Sequence, residues 1–273
     1  MEYLIERYKV LLFDAYGVLV HTSGAMPGAS ELIRNLNQMP KPYYILTNDA
    51  SKLPATAARR YQCYGLDIEP ARILTSGGRI KEYFRLHGLT GARCIVLGTE
   101  DSNHYVDQAG GRIVAAGGEF DVLVVADEAG YPFLETIDQA FTSLCRLIDQ
   151  KREVHLLLPN PDLVYPKADQ GLGFTAGSIA VIFEAALKLR YPDRKDLRFS
   201  RLGKPGTGLY EEAFSRSGTG NMVMIGDQLE TDIRGARNFG IDAAWIQTGI
   251  MGDAPGHIPS DTRPTYVMTS LQI

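Results

Sequence analysis

Short apolar runs along this chain end abruptly in polar residues, and the first of them sets the pattern. Val10, Leu11, Leu12 and Phe13 run into Asp14, Ala15, Tyr16 and Gly17, after which apolar residues resume at Val18, Leu19 and Val20. A brief apolar run closed by a turn signal predicts a strand buried on both faces of a parallel sheet. Asp14 then stands at the carboxyl end of the strand, where open α/β sheets carry their chemistry. Taken alone, it serves equally well as a turn residue. Three later stretches have the same form. Residues 43–46 end in Thr47, Asn48 and Asp49; Arg201 and Leu202 lead into Gly203, Lys204 and Pro205; residues 222–225 end in Gly226 and Asp227, with Thr231 and Asp232 just beyond.

Helical periods alternate with these strands. Leu32, Ile33 and Leu36 mark a helix over 31–38, and 54–64 reads as a helix with Pro54 in its first turn and Gly65 as its stop. This βαβα opening implies a parallel sheet with right-handed crossovers. After a further short strand at 72–74 the chain changes character. A helix at 80–87, strands at 94–97 and 122–126, a long amphipathic helix at 133–148 and a strand at 154–158 alternate without joining the motif series. Residues 78–176 therefore read as an inserted domain, and 1–77 with 177–273 as the core domain around it. The helix expected over 178–189, with Ile179, Ile182, Phe183, Ala186 and Leu187 on one side, falls on the core side of that division. A helix at 208–217, the strand 222–225, a helix at 229–239 stopped by Gly240 and a strand at 243–246 make a second αβ run. Residues 266–268 predict an edge strand, and 251–263 a loop bearing Pro and Gly.

Composition adds limits more than direction. The 273 residues allow one large or two modest domains. With 22% charged residues and a net charge of -4, the chain offers no electrostatic footprint for nucleic acid or an anionic membrane surface. No apolar run approaches the roughly 20 residues of a membrane span. Residues 1–7 are too short and charged for a secretory signal, so a cytoplasmic location is expected. Cys63, Cys94 and Cys145 lie far apart with no Cys-x-x-Cys pair, and read as buried free thiols. The stretch from Gly203 to Thr207 lacks the order of a P-loop, and Gly171, Leu172 and Gly173 lack the strand and acidic residue of a dinucleotide site.

In order, the polar strand ends supply a carboxylate, a hydroxyl with an amide, an ammonium and a second pair of carboxylates. The set resembles the four motifs of the haloacid dehalogenase (HAD) superfamily, across nearly the whole chain. The spacing resembles class IIA, the NagD-like and pyridoxal-phosphatase-like proteins, which carry a large C2-type α/β cap inserted into a Rossmann-like parallel-sheet core. The resemblance implies a small phosphorylated metabolite as partner, neither nucleic acid nor membrane, and a homodimer formed through the cap. One departure stands out: the family places a second Asp two residues after the first, where this chain has Tyr16.

The chemistry follows from charge. Attack on a phosphate ester brings an anionic nucleophile to an anionic substrate, so positive charge must be supplied. Asp14 and Asp227 can share a hard divalent cation, and oxygen ligands with retained waters favour Mg²⁺. By the resemblance, Asp14 is the nucleophile, Asp227 a metal ligand, and the backbone carbonyl of Tyr16 another. Lys204 would stabilise charge on Asp14 and on the transferring phosphoryl group, while the Thr47 hydroxyl and the backbone N–H groups around Asn48 and Asp49 would hold its oxygens. Gly17 would let the loop approach the phosphate, and Asp232 would orient a metal-bound water or Lys204. Asn160, Pro161 and Asp162 resemble the Asn-Pro-Asp turn of NagD-like caps, which implies a place near the cap–core junction with Asn160 as a candidate substrate contact; a plain Asx turn fits equally well. Each polar cluster has a bland counterpart as a turn, a loop or a first-turn helix residue. Tyr16 replaces the family's general acid/base and leaves two readings open: a slow phosphatase working through an aspartyl-phosphate, or a phosphate-ester binding or regulatory protein without efficient turnover. A carbon–halogen hydrolase has less need of Asp227.

Overall fold

The computed structural model describes residues 1–167, 171–247 and 258–272. The first core segment contains helix α1 (Glu2–Arg7), strand β1 (Val10–Phe13), a hairpin of β2 (Val20–His21) and β3 (Gly24–Ala25), helix α2 (Ala29–Asn37) and β4 (Tyr43–Thr47). Helix α3 (Pro54–Cys63) and β5 (Ile73–Thr75) complete it. The chain then passes through α4 (Arg79–His87), β6 (Arg93–Leu97), α5 (Glu100–Gln108), β7 (Arg112–Ile113), β8 (Val122–Val125), α6 (Phe133–Asp149) and β9 (His155–Leu158). An antiparallel hairpin of β10 (Val164–Pro166) and β11 (Leu172–Phe174) precedes α7 (Ala176–Arg190) and β12 (Ser200–Arg201). Helix α8 (Gly208–Ser217), β13 (Met222–Gly226), a π-helical turn at Leu229–Ile233, α9 (Arg234–Phe239), β14 (Asp242–Ile246) and β15 (Tyr266–Met268) return to the core.

Two parallel sheets result. The core sheet runs β15-β14-β13-β1-β4-β5, and the cap sheet β12-β9-β8-β6-β7. Period-2 side-chain alternation builds a hydrophobic layer on each face of the core sheet. Leu11, Phe13, Val223, Ile225, Ala244 and Ile246 point one way, and Val10, Leu12, Met222, Met224, Ala243 and Trp245 the other. The cap sheet alternates in the same manner, with Ile95, Leu97, Leu123, Val125, Leu156 and Leu158 on one face.

Helix α7 corrects the division expected at 176/177. Its Ile179, Ala180, Phe183 and Leu187 pack with Leu123, Val125 and Leu156 on the cap sheet, and β12 pairs with β9 at that sheet's edge. An amphipathic stripe declares that a helix needs a sheet to cover, but not which of two sheets it will cover. Consequently Lys204 is reached from the edge strand of the cap sheet and not from a strand of the core. Other differences are local. Helices α1 and α5 and the β2–β3 hairpin carried too few apolar repeats to be read from sequence. Cys63 is exposed, whereas Cys94 and Cys145 are buried, and all three are free. Residues 251–257 of the expected loop lie outside the described residues. Among the described residues, no helix is long and apolar enough to cross a membrane.

Candidate active site

Strands β1 and β13 are adjacent and in register, with Phe13 opposite Ile225, so the residues that follow them emerge together at one sheet edge. The backbone N–H of Asp14 donates to Ile225 O at 2.9 Å. Beyond β13, Gly226 permits the next contact: a Cβ there would lie 2.2 Å from Cβ of Asp232. The π-helical turn brings Asp232 back over the strand end, a local distortion common at functional sites. Ligand oxygens of Asp14, Asp227 and Asp232 lie within 4.8 Å of one another, and all three side chains are buried.

Lys204 supplies the balancing charge. Its Nζ donates to Asp14 Oδ1 at 2.7 Å, to Asp232 Oδ1 at 2.6 Å and to Leu46 O at 2.9 Å. Only 2% of the residue is exposed, which makes the ammonium part of the interior and not a surface charge. Burial works against that charge, but Asp14 and Asp232 more than offset it and hold Lys204 well above its ordinary pKa. Burial also pushes the Asp14 carboxyl up, against the pull of Lys204. Asp232 therefore engages Lys204 directly; its Oδ2 accepts from the N–H of Gln228 at 3.2 Å.

Asp227 is different. Both of its carboxylate oxygens are buried with no hydrogen-bond partner among the described residues, and burial followed by the fields of Asp14 and Asp232 drives its pKa far up. A buried, unpaired carboxylate beside two others is costly unless a cation joins it. The donor set is all oxygen, which suits a hard divalent ion. Gly17, at φ +83°, is required here by a neighbour that the sequence did not show. A Cβ on it would lie 2.3 Å from Asp227 Oδ2, so its missing side chain makes room for the carboxylate.

The second strand end is a clamp as much as a binding loop. The Asn48 side chain donates to Lys204 O at 3.1 Å and to Asp162 Oδ1 at 2.9 Å, and its Oδ1 accepts from the N–H of Lys204 at 2.7 Å. Its side-chain amide is thus committed to holding the Lys204 loop and the cap. Asp49 accepts from Ser51 N at 2.7 Å and pairs with Lys52 at 3.1 Å, while Thr47 Oγ1 accepts from the N–H of Asp49 at 3.2 Å. Asn160 makes the Asx turn, its Oδ1 accepting from Asp162 N at 3.1 Å. Burial raises the Asp162 carboxyl to about 6 despite the hydrogen bond from Asn48.

A cavity of about 510 Å³ opens between core and cap, within the usual range for small ligands. Asp14, Tyr16, Thr47, Asn48 and Asp49 line it from the core, and Asn160 and Asp162 from the cap. The Arg60 guanidinium sits 5.5 Å from the Tyr16 ring centroid, and burial pushes the Tyr16 phenol up to about 12. Sequence reasoning missed Arg60, Lys52, Asp127 and Glu128, which also line the cavity. A signal existed for two of them: residues 122–126 followed by Asp127 and Glu128 repeat the form of apolar strand then carboxylate.

An α/β core with carboxylates at adjacent strand ends, a buried lysine between two of them and an inserted cap defines the class. Residues 11–112 match the family model of haloacid dehalogenase-like hydrolases, and 201–272 match a second, HAD-hydrolase-like model. The chain belongs to the haloacid dehalogenase-like hydrolases. It is 27% identical over 263 residues to the dihydroxyacetone phosphatase of Corynebacterium glutamicum, covering 95% of this chain and 88% of that protein. A crystal structure from Cytophaga hutchinsonii, described as a possible sugar phosphatase of the HAD superfamily, superimposes with TM-score 0.83 at 29% identity, covering 100% of this chain and 97% of that one. The glycerol phosphate phosphatase of Mycobacterium tuberculosis in complex with magnesium shares the fold, with TM-score 0.82 at 22% identity over 98% of this chain and 77% of that one.

Proposed function

We propose that this chain is a Mg²⁺-dependent phosphatase that hydrolyses a small organic phosphate monoester, with Asp14 as nucleophile. The observation that carries this reading is Asp227: a buried carboxylate without a hydrogen-bond partner among the described residues, beside a second carboxylate that a buried ammonium holds. The similarity to a dihydroxyacetone phosphatase supports a short sugar or polyol phosphate as substrate.

Asp14, Asp227 and the backbone carbonyl of Tyr16 would hold the ion, which supplies charge neutralisation for nucleophile and phosphoryl oxygens. Asp14 forms a bond to phosphorus as the ester P–O bond breaks, giving an aspartyl-phosphate and the alcohol. Lys204, fixed by Asp232 and Leu46 O, keeps Asp14 oriented and offsets its charge. Thr47 and backbone N–H groups around Asn48 would receive the phosphoryl oxygens. The Tyr16 phenol, facing the cavity, can give a proton to the leaving oxygen. Water then attacks the aspartyl-phosphate, releases inorganic phosphate and restores Asp14. A phenol pushed up to about 12 is a weak acid for the first step, and once it has regained its proton from solvent it cannot take one from the attacking water, so turnover is slow.

We place the cap at 79–201 and the core in the remainder, a division supported by the packing of α7 on the cap sheet and the pairing of β12 with β9. A second reading, a phosphate-ester binding protein, is favoured by Tyr16 alone. Hydrolysis of p-nitrophenyl phosphate with Mg²⁺ by wild type and by Asp14→Asn separates the two. Activity that vanishes in Asp14→Asn supports the phosphatase; activity that survives belongs to a contaminant and favours the binding protein.

A further inference from the structure

The cavity walls differ in charge. Its cations among the described residues, Lys52 and Arg60, both come from the core, and both are engaged. Lys52 Nζ lies 3.1 Å from Asp49 Oδ2 and 2.8 Å from Ser51 Oγ, while Arg60 Nε donates to Tyr64 OH at 3.1 Å. The cap wall carries no Lys, Arg or His among its described residues. Its ionisable groups are Asp127, Glu128, Asp162 and Tyr165, accompanied by neutral Thr99 and Asn160. Lys167 stacks over the Tyr165 ring at 6.0 Å but is exposed and does not line the cavity.

Asp127 and Glu128 follow β8 as Asp14 follows β1, so the cap sheet directs a strand end of its own at the core's. Their loop is fixed. Ala129 N donates to Asp127 Oδ1 at 3.0 Å, and Tyr131 OH donates to Asp127 O at 3.1 Å. Gly130, at φ +95°, packs so tightly that a Cβ would lie 2.6 Å from Gly98 O. The neighbouring Thr99 ties this edge to the core through a 2.7 Å bond to Ser51 O. Glu128 has no side-chain donor among the described residues. Burial raises the pKa of both carboxyls, and for Glu128 the field of Asp127 adds to it, while Lys52 across the cavity pulls both the other way without reversing the shift. Such a pair gains from O–H donors and repels an anion.

We infer that Asp127 and Glu128 form the selectivity wall of this cavity, accepting hydrogen bonds from the hydroxyls of an uncharged polyol or sugar leaving group and rejecting phosphate esters that carry a second anionic group. This rests on the phosphatase reading for the orientation of the substrate, with the phosphoryl group at Asp14 and the alcohol toward the cap.

Glycerol 3-phosphate and 3-phosphoglycerate test it, because they differ only in a hydroxymethyl replaced by a carboxylate. The kcat/KM ratio of wild type favours glycerol 3-phosphate by about tenfold or more. It falls toward unity in the Asp127→Asn/Glu128→Gln double variant and inverts in Glu128→Lys. A wild-type ratio at or below one, or a ratio unmoved by these variants, overturns the inference. So does a preference of more than about tenfold for phosphoethanolamine over glycerol 3-phosphate, which would assign the wall to an ammonium. The same pair is compared by calorimetric binding to Asp14→Asn. If p-nitrophenyl phosphate is not hydrolysed but this variant still binds glycerol 3-phosphate in preference, the activity reading fails and the selectivity wall stands. If p-nitrophenyl phosphate is hydrolysed and binding shows no preference, only the wall fails.

Discussion

The ammonium of Lys204 lies 2.7 Å from the carboxylate of Asp14, although 190 positions separate the two residues in the chain. It arrives from the edge strand of the cap sheet, and Asn48 holds its backbone from both sides. The nucleophile's counter-charge is therefore supplied where cap and core join, so the position of the cap bears directly on the site.

Lys204→Met leaves Asp14, Asp227 and Asp232 facing one another without a cation. Breaking a buried pair in this way costs about 3–5 kcal/mol. The expected result is a lower melting temperature at pH 8 and loss of phosphatase activity. The sign with pH follows from carboxyls whose folded pKa is raised. They favour the folded state at low pH and lose that contribution as pH rises through the folded value. The deficit relative to wild type should therefore shrink toward pH 5, as thermal scans at both pH values would show.

Asp227→Asn separates metal binding from folding. In the absence of divalent ions the variant should melt higher than wild type, because an unpaired buried carboxylate is removed. Added Mg²⁺ should stabilise wild type, by about 2.7 kcal/mol at a hundredfold excess over Kd, and leave the variant unmoved. A Mg²⁺-dependent shift that persists in Asp227→Asn removes that residue from the ligand set.

Tyr16→Asp should raise turnover, since it restores a base able to activate water for the second step. A positioned acid/base contributes typically about 10²–10⁴-fold. The gain should be largest for alkyl phosphates, whose leaving oxygen is basic, and smaller for aryl phosphates. Steady-state rates on glycerol 3-phosphate and p-nitrophenyl phosphate supply the comparison; a fall, or no change, counts against the role given to Tyr16.

Asp162→Asn addresses the junction. The Asp162 carboxyl, raised to about 6, stabilises the fold at acidic pH and loses that contribution between roughly pH 4 and 6 as it ionises. Asparagine still accepts from Asn48 and carries no charge. Its stability at pH 7 should exceed that of wild type by about 1–3 kcal/mol, with a flatter profile between pH 4 and 6 in chemical denaturation. A profile that keeps the wild-type slope means another group titrates there.

Much of the site was legible because its residues sit at strand ends, and strands declare themselves through local burial. Asp14, Thr47 and Asp227 each follow an apolar run that a buried parallel strand requires. The sequence also carried the departure at Tyr16, which needs no coordinates to be seen. Other features depended on contacts between distant segments. Helix α7 has an apolar stripe that either sheet could cover, and only packing assigned it to the cap. That the Asn48 side chain is a clamp could not be read from sequence, because its partners lie 114 and 156 positions away. Gly17 is glycine on account of Asp227, and Glu128 faces the cavity because β8 aims at the core. Periodicity along the chain reports what each element must bury, and that much is local. Which charges come to share one low-dielectric space is set by how the two sheets meet, and the order of residues does not contain it in readable form.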